Sequence, residues 1–293
     1  MKTNAQAMSF TWIFALIIGG AILFMAIFFS GKLFETSSYQ TEAELARSLD
    51  ILINPLSSQA SISNMISMPE KVQVNFSCDK NADSDKISLQ IAKGKEPFTY
   101  VINNKYIFAD DFNSKDFWVF SKPFEPAWRV DSLSYLISKN YCFVNAPEGI
   151  KNEMIAFNSS FIQVISDRTA CKAGSVNVCF SGACDINVDY DAKTVRIKSL
   201  TLSFIDDATM YGAIFGSKNY NCNLERLLNR MDFQADVLLQ KADIIAARGC
   251  SDVSSLKQEI AGLKAAINSR DYNQIIAYSQ KVNDMNKISC SLY

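Results

Sequence analysis

Two adjacent pairs of acidic residues are the side chains of this sequence best suited to chemistry. They are Asp110 with Asp111 and Asp206 with Asp207, and paired carboxylates can hydrolyse glycosides when they flank a sugar bond. Both pairs follow predicted strands, where aspartate is typical of solvated turns. We therefore expect neither pair to be catalytic, and a membrane-tethered hydrolase that depends on carboxylates is kept as an alternative.

The sequence contains no histidine among its 293 residues. This removes the commonest general base, the usual catalytic zinc and iron ligands, and every nucleophilic triad that relies on imidazole. The charges are balanced, with 29 Lys and Arg against 30 Asp and Glu and no basic block, whereas nucleic-acid binding needs clustered basic residues. The sequence thus predicts neither an enzyme nor a nucleic-acid-binding protein, and no cofactor or metal site.

Two further segments could bind a ligand, and each has a structural alternative. Residues Tyr211–Gly216 contain Gly-x-x-x-Gly but lack the Lys-Ser/Thr of a phosphate-binding loop. The aromatic run Phe117–Arg129 could form a platform for sugars or stacked rings. Such a run more often packs in a core or against a membrane surface, and this is the interpretation we adopt.

Cysteine supplies the strongest signal in the body of the chain. The cysteines all follow the apolar N-terminal segment, their number is even, and no Cys-x-x-Cys pair occurs: Cys78, Cys142, Cys171, Cys179, Cys184, Cys222, Cys250 and Cys290. This pattern predicts a disulfide framework in an oxidising compartment. Metal ligation by Cys171, Cys179 and Cys184 is the alternative.

One disulfide pairing follows from the helices predicted near the C-terminus. Cys222 and Cys250 lie at opposite ends of a helix that is too long for a disulfide between them. Cys250 and Cys290 lie at equal sequence distances from Arg270, at the turn of a helical hairpin, so both should reach its open end. We predict a Cys250–Cys290 disulfide, which leaves Cys222 to bond a cysteine of the mixed domain.

Residues 10–29 form an almost entirely apolar segment. A hydrocarbon core of about 30 Å takes roughly 20 such residues as a helix, and the segment is longer than the apolar region of a cleaved signal peptide. We expect it to cross the lipid bilayer once, and the cysteines favour an extracytoplasmic body. There, Asn75 and Asn158, which begin Asn-x-Ser sequons, would be open to glycosylation.

The elements that position these residues change in type along the chain. Thr41–Ile53 has apolar residues at helical spacing before Pro55, which predicts a juxtamembrane helix. From Lys71 onward, short runs of β-branched and aromatic residues predict strands, with a hairpin at the turn Asn103–Lys105. The predicted strands are Val72–Cys78, Ile87–Ala92, Phe98–Ile102, Tyr106–Ala109, Phe117–Phe120 and Ile162–Ile165, with further short strands within Cys179–Asp189 and Thr194–Phe204, while Val130–Lys139 could be a strand or a short helix.

The C-terminal residues favour helices. Apolar residues recur at intervals of three and four from Leu224 to Ile245, a second helix begins near Ser255 with a capping box to Gln258, and a third follows Asp271. Three such helices predict an antiparallel bundle. The fold class is α+β, in four regions: 1–31, N-terminal segment and transmembrane helix; 32–70, juxtamembrane stalk and linker; 71–220, mixed disulfide-bonded ectodomain; 221–293, helical region.

Two parts of the sequence resemble known proteins. The segment Ala5–Trp12 with the apolar run after it resembles the class III signal of archaeal pilin-like proteins, which implies cleavage before Gln6. The body resembles a group of uncharacterised membrane-anchored proteins of small-genome archaea, through the stretches Trp118–Phe124, Trp128–Val130, Tyr141–Pro147, Tyr211–Phe215 and Tyr220–Arg226. This resemblance implies a membrane location and carries no activity to named residues.

These observations together predict a single-pass, membrane-anchored protein of the cell surface. The body would be extracytoplasmic and would act as a structural or interaction protein, through protein partners or self-assembly. A pilin-like filament subunit is one alternative, and the carboxylate-dependent hydrolase is the other.

Overall fold

The computed structural model describes residues 14–29, 63–80, 84–90, 97–249, 253–288 and 292–293. The chain divides into two compact units, Met1–Arg47 and Ser48–Tyr293. In the first unit, residues 14–29 form helix α1, whose side chains are all exposed. Within the described residues, no helix combines the length and the apolarity needed to cross a membrane. Residues 10–13 of the predicted span and the predicted helix Thr41–Ile53 lie outside the described residues.

The second unit contains two six-stranded sheets. The first has the order β3-β2-β1-β5-β6-β4 and is antiparallel except for the pair β4 and β6. Its strands are β1 Ser63–Asp79, β2 Ser84–Gln90, β3 Phe98–Asn103, β4 Tyr106–Phe108, β5 Phe112–Phe124 and β6 Asp131–Ile137. Strand β6 is almost continuously buried, which is typical of a strand covered on both faces.

The second sheet has the order β12-β11-β10-β9-β7-β8. Its strands β8, β7, β9 and β10 run parallel, and β10, β11 and β12 pair as an antiparallel meander. The strands are β7 Tyr141–Val144, β8 Ile162–Ile165, β9 Val176–Cys179, β10 Ile186–Asp189, β11 Thr194–Ile197 and β12 Leu200–Ser203. The short helix α2, Glu148–Ala156, connects β7 to β8, as a parallel crossover requires.

The described residues of this unit also form four further α-helices, α3 Asp207–Phe215, α4 Tyr220–Ala247, α5 Val253–Ser269 and α6 Tyr272–Ile288. Helices α4, α5 and α6 pack in chain order, which confirms the predicted helical tail. A single buried cluster contains residues from both sheets and these helices, including Phe120, Phe143, Phe215, Leu228 and Leu263. The α+β class is therefore confirmed, and the tail shares its core with the sheets.

Two local predictions are corrected, and one that was left open is settled. The turn at Asn103–Lys105 exists, with Asn104 at φ 54°, but it does not join a hairpin, because β3 pairs with β2 whereas β4 pairs in parallel with β6. The segment Val130–Lys139, left open as a helix or a strand, contains strand β6. Ser255 lies inside α5, so it is not the first residue of a capping box.

Three disulfides confirm the predicted framework. Cys78–Cys222 joins β1 to α4, Cys142–Cys171 joins β7 to the segment after β8, and Cys179–Cys184 closes a short loop after β9. Their Cα–Cα distances of 6.1, 5.8 and 5.7 Å lie in the usual range for disulfides. Cys250 and Cys290, the pair predicted from hairpin geometry, lie outside the described residues.

Candidate ligand-binding cleft

A cleft of about 300 Å³ opens where the second sheet meets α3 and α6. We call it the acidic cleft, and three segments contribute most of its polar and charged lining. Tyr190 and Lys193 belong to the turn between β10 and β11, Asp206 and Asp207 stand at the start of α3, and Ser279 belongs to α6. Glu125, which follows β5, lies at the same cleft.

Asp206 is placed by its role as the N-cap of α3. Its Oδ1 accepts hydrogen bonds from the backbone N–H of Thr209 at 2.9 Å and from the Thr209 hydroxyl at 2.8 Å. The backbone N–H of Asp206 donates to Oγ1 of Thr209 at 3.0 Å, which completes a capping box. The predicted solvated turn is therefore wrong: Asp206 begins a helix that sequence periodicity did not reveal.

Burial raises the pKa of Asp206 to about 6, although both hydrogen bonds from Thr209 act in the opposite direction. Asp207 raises that pKa further, and Lys122 lowers it. Asp207 itself accepts a hydrogen bond from the Tyr190 hydroxyl at 2.7 Å on Oδ1. The cleft wall thus carries two adjacent carboxyl groups, one of which resists ionisation at mildly acidic pH.

Lys193 lies over aromatic rings rather than beside these carboxylates. Its ammonium is 3.9 Å from the ring centroid of Tyr190 and 5.4 Å from that of Phe204, which is cation–π geometry. Within the described part of the chain, Lys193 forms no ion pair. Among the described residues, neither aspartate of the cleft is therefore ion-paired with Lys193.

Ser279 lies in the wall that α6 contributes. The residue is 2% exposed, and among the described residues its Oγ has no hydrogen-bond partner. Buried hydroxyl groups are normally paired, because leaving one unpaired costs free energy. Because Ser279 also lines the cleft, its unpaired hydroxyl is a candidate contact for a polar ligand group.

The other acidic pair does not line this cleft. Asp111 accepts from the backbone N–H of Phe76 at 2.9 Å and from Lys218 Nζ at 2.5 Å, so it connects β1 to the segment before α4. Asp110 lies 3.9 Å from Lys139 Nζ, and burial raises its pKa. These contacts join neighbouring segments of the fold.

The two segments considered as ligand sites belong to the core. Phe117, Trp118, Phe120, Phe124 and Trp128 are all buried, which confirms the core interpretation of the aromatic run. In the Gly-x-x-x-Gly segment, both glycines allow close packing of α3. A Cβ at Gly212 would lie 2.8 Å from the ring of Phe108, and one at Gly216 would lie 2.4 Å from the backbone nitrogen of Ala109.

The glycosylation candidates differ in setting. Asn158 is exposed in the turn after α2, with φ 48°, whereas Asn75 is half-buried within β1 and lies opposite Ser88. Glycosylation at either position stays a prediction. Among the described residues, no group of three or more His, Cys, Asp or Glu side chains could hold a metal ion.

Sequence reasoning singled out Asp206 and Asp207 but missed Tyr190, Lys193 and Ser279. The order Asp-x-x-Thr at 206–209 is an N-cap signal that could have located α3. Nothing in the local sequence distinguishes Ser279 from other serines on helices. Comparison of the chain with protein families, with curated proteins and with solved structures finds no match in any of the three.

Proposed function

We propose that the protein is anchored in a membrane by its N-terminal apolar segment and acts outside the cytoplasm as a structural or interaction protein of the cell surface. The observation that carries this proposal is the set of three disulfides among the described residues of the unit Ser48–Tyr293. Structural disulfides persist in oxidising compartments and are rare in reducing ones. Their presence therefore supports an extracytoplasmic body.

Helix α1 supports the anchor. It presents large apolar side chains on every side, among them Phe14, Ile17, Leu23, Phe24 and Ile27, each more than half exposed. Apolar surface of this kind is unfavourable in water and favourable in hydrocarbon. The sequence is uncharged from Thr3 to Gly31, and the apolar segment of residues 10–29 begins four residues before α1 and ends with it.

Membrane extraction tests the anchor. Ile17→Arg together with Leu23→Arg should release the full-length chain from alkaline-washed membranes, since charged residues in hydrocarbon are strongly unfavourable. Val237→Arg and Ile244→Arg, at exposed apolar positions of α4, form the matched control and should leave the chain in the membrane. The membrane anchor would be contradicted if the double α1 variant stayed in the membrane fraction, or if only the α4 control variant were released.

Protease accessibility and thiol labelling of intact cells test the side of the membrane. Added protease should digest the body, and alkylation without reduction should leave Cys78 and Cys222 unlabelled. A body that survives while an external reference protein is digested would contradict the extracytoplasmic location. Labelling of Cys222 before reduction would contradict the disulfide framework.

A carboxylate-dependent hydrolase is the second candidate function. It is supported by the position of Asp206 and Asp207 in a concave cleft and by the raised pKa of Asp206, features expected of a general acid. Hydrolysis of glycoside or ester substrates should then be lost in Asp206→Asn and Asp207→Asn but retained in Asp284→Asn on the surface of α6. Absence of turnover in the native chain, or equal turnover in all variants, would exclude this candidate.

A further inference from the structure

We propose that the acidic cleft binds a small organic ammonium ion, such as an alkylamine or the end of a lysine side chain. The inference is independent of the membrane anchor and of any hydrolytic activity. It rests on the charges at the cleft, the hydrogen-bonding capacity left open there, and its size.

The charges favour a cation. Asp206 and Asp207 lie side by side at the start of α3, and the only ammonium among the cleft-lining residues, that of Lys193, is engaged with the rings of Tyr190 and Phe204. Glu125 adds a third carboxylate, which forms a half-exposed ion pair with Arg129 at 3.9 Å. A ligand of positive charge would therefore meet an excess of negative charge.

The open hydrogen-bonding positions are mainly acceptors. Both hydrogen bonds to the Asp206 carboxylate use Oδ1, and the Tyr190 hydroxyl uses Oδ1 of Asp207. Oδ2 of each aspartate accepts no hydrogen bond from the described residues. The unpaired hydroxyl of Ser279, which is 2% exposed, is a third open position. An alkylammonium brings three donors and no acceptor, which matches this set.

The size and the remaining lining also fit an alkylamine. A volume of about 300 Å³ is at the lower end for small-molecule sites. Ile205, Ile276 and Pro126 line the cleft beside the carboxylates and offer apolar contacts for a methylene chain. A metal ion is disfavoured, because no group of three suitable ligands occurs among the described residues.

Calorimetric titration of the full-length chain in detergent tests the proposal. Putrescine and Nα-acetyl-lysine methylamide should both bind at neutral pH, and butanol, the neutral analogue of the alkyl chain, should bind at least tenfold more weakly. Tighter binding of putrescine assigns the site to free amines, and tighter binding of the lysine derivative assigns it to a protein side chain. Equal binding of butanol and the amines, or no binding of either amine, would overturn the proposal.

Three variants separate binding from folding. Asp207→Asn should weaken amine binding about tenfold or more, since a charge-assisted hydrogen bond becomes a neutral one. Lys193→Gln should strengthen binding severalfold, because it removes a like charge from the cleft. Asp284→Asn on the surface of α6 is the control and should bind as the native chain does. Unchanged affinity in both Asp207→Asn and Lys193→Gln would overturn the proposal.

Ser279→Ala gives the sharpest separation, because its effects on stability and on binding should have opposite signs. Removing a buried hydroxyl that has no partner should raise the melting temperature or leave it unchanged. The same substitution should weaken amine binding severalfold. A lower melting temperature together with unchanged affinity would show that the hydroxyl serves the fold alone, and would contradict its role in the cleft.

Discussion

Asp206 is a residue at which local structure and electrostatics act in opposite directions. Its carboxyl caps α3, yet burial raises its pKa to about 6, with Asp207 raising and Lys122 lowering it. Because the folded-state pKa lies above the usual aspartate value of 3.8, the ionised carboxyl opposes folding at neutral pH. This unfavourable contribution disappears as the pH falls from about 6 to about 4. In that range Asp206 is protonated in the folded state but still ionised in the unfolded chain, so acidification favours folding at this residue.

We predict that Asp206→Asn leaves the folded state at least as stable as the native one at pH 7, since asparagine is an equally good N-cap and carries no charge. The difference in the free energy of unfolding between variant and native chain should shrink between pH 6 and pH 4. Urea unfolding across this range measures it. A difference that stays constant, or grows on acidification, would contradict the raised pKa.

Asp85 and Arg226 form a buried ion pair with their side chains 2% and 1% exposed and 3.2 Å between Oδ1 and Nη1. The backbone N–H of Ile107 donates to Asp85 Oδ2 at 3.0 Å, and Arg226 donates to the carbonyl of Lys105 at 3.0 Å. The pair thus connects β2 and α4 to the start of β4. Sequence reasoning did not identify it, because its members are separated by most of the body.

Replacing one partner of this pair should be far more destabilising than the same change at the surface. Asp85→Asn should cost about 3 to 5 kcal/mol of unfolding free energy, because it leaves the Arg226 guanidinium buried without a counterion. Asp284 forms an exposed ion pair with Lys287, and the two side chains are 77% and 73% exposed. Asp284→Asn removes this pair and should lower the free energy of unfolding by less than about 1 kcal/mol. Urea unfolding of both variants checks the contrast, which similar losses would refute.

At the scale of elements, α3 packs closely against β4 because Gly212 and Gly216 have no side chain there. The backbone at Gly216 therefore lies directly against the backbone of Phe108 and Ala109. Gly216→Ala should destabilise the protein by about 1 to 3 kcal/mol or more, because its Cβ would meet the backbone of Ala109 at 2.4 Å. Gly149→Ala in α2, where nothing lies within 4 Å of the added Cβ, should be neutral or slightly stabilising. Thermal unfolding of the two variants compares them, and equal melting temperatures would show that α3 can move away from β4.

The sequence patterns located most elements but not all of their partners. The strand Ile162–Ile165 was predicted with its observed bounds, because local alternation and turn residues suffice to find a strand. Helix α3 was missed because every residue from Ala208 to Phe215 is buried, and a helix buried on all sides has no amphipathic period. The hairpin at Asn103–Lys105 was wrong because strand pairing depends on contacts far along the chain.

At the scale of the whole molecule, the candidate site depends on a juxtaposition that no local pattern contains. The acidic cleft combines residues from Glu125 to Gln280, contributed by the segment after β5, a turn of the second sheet, the start of α3, and α6. The sequence indicated the acidic pair at 206 and 207 as a residue type suited to chemistry. It could not indicate which turn and which helix would cover that pair, or that Ser279 would lack a partner.

The disulfide that closes the longest loop should stabilise the molecule most, and the one that closes the shortest loop should stabilise it least. Cys78–Cys222 spans 144 residues, Cys142–Cys171 spans 29 and Cys179–Cys184 spans 5. The chain-entropy model gives about 5, about 4 and about 2 kcal/mol for loops of these sizes.

We predict that replacing both cysteines of a pair by alanine lowers the free energy of unfolding in this order. The loss should be largest for Cys78–Cys222, because this disulfide closes the longest loop and its removal frees the most conformational entropy in the unfolded chain. Urea unfolding of the three double variants measures the order, with the reduced native chain as the reference for loss of all three bonds. The largest loss from Cys179–Cys184 would show that this bond acts on the folded loop rather than on the unfolded chain.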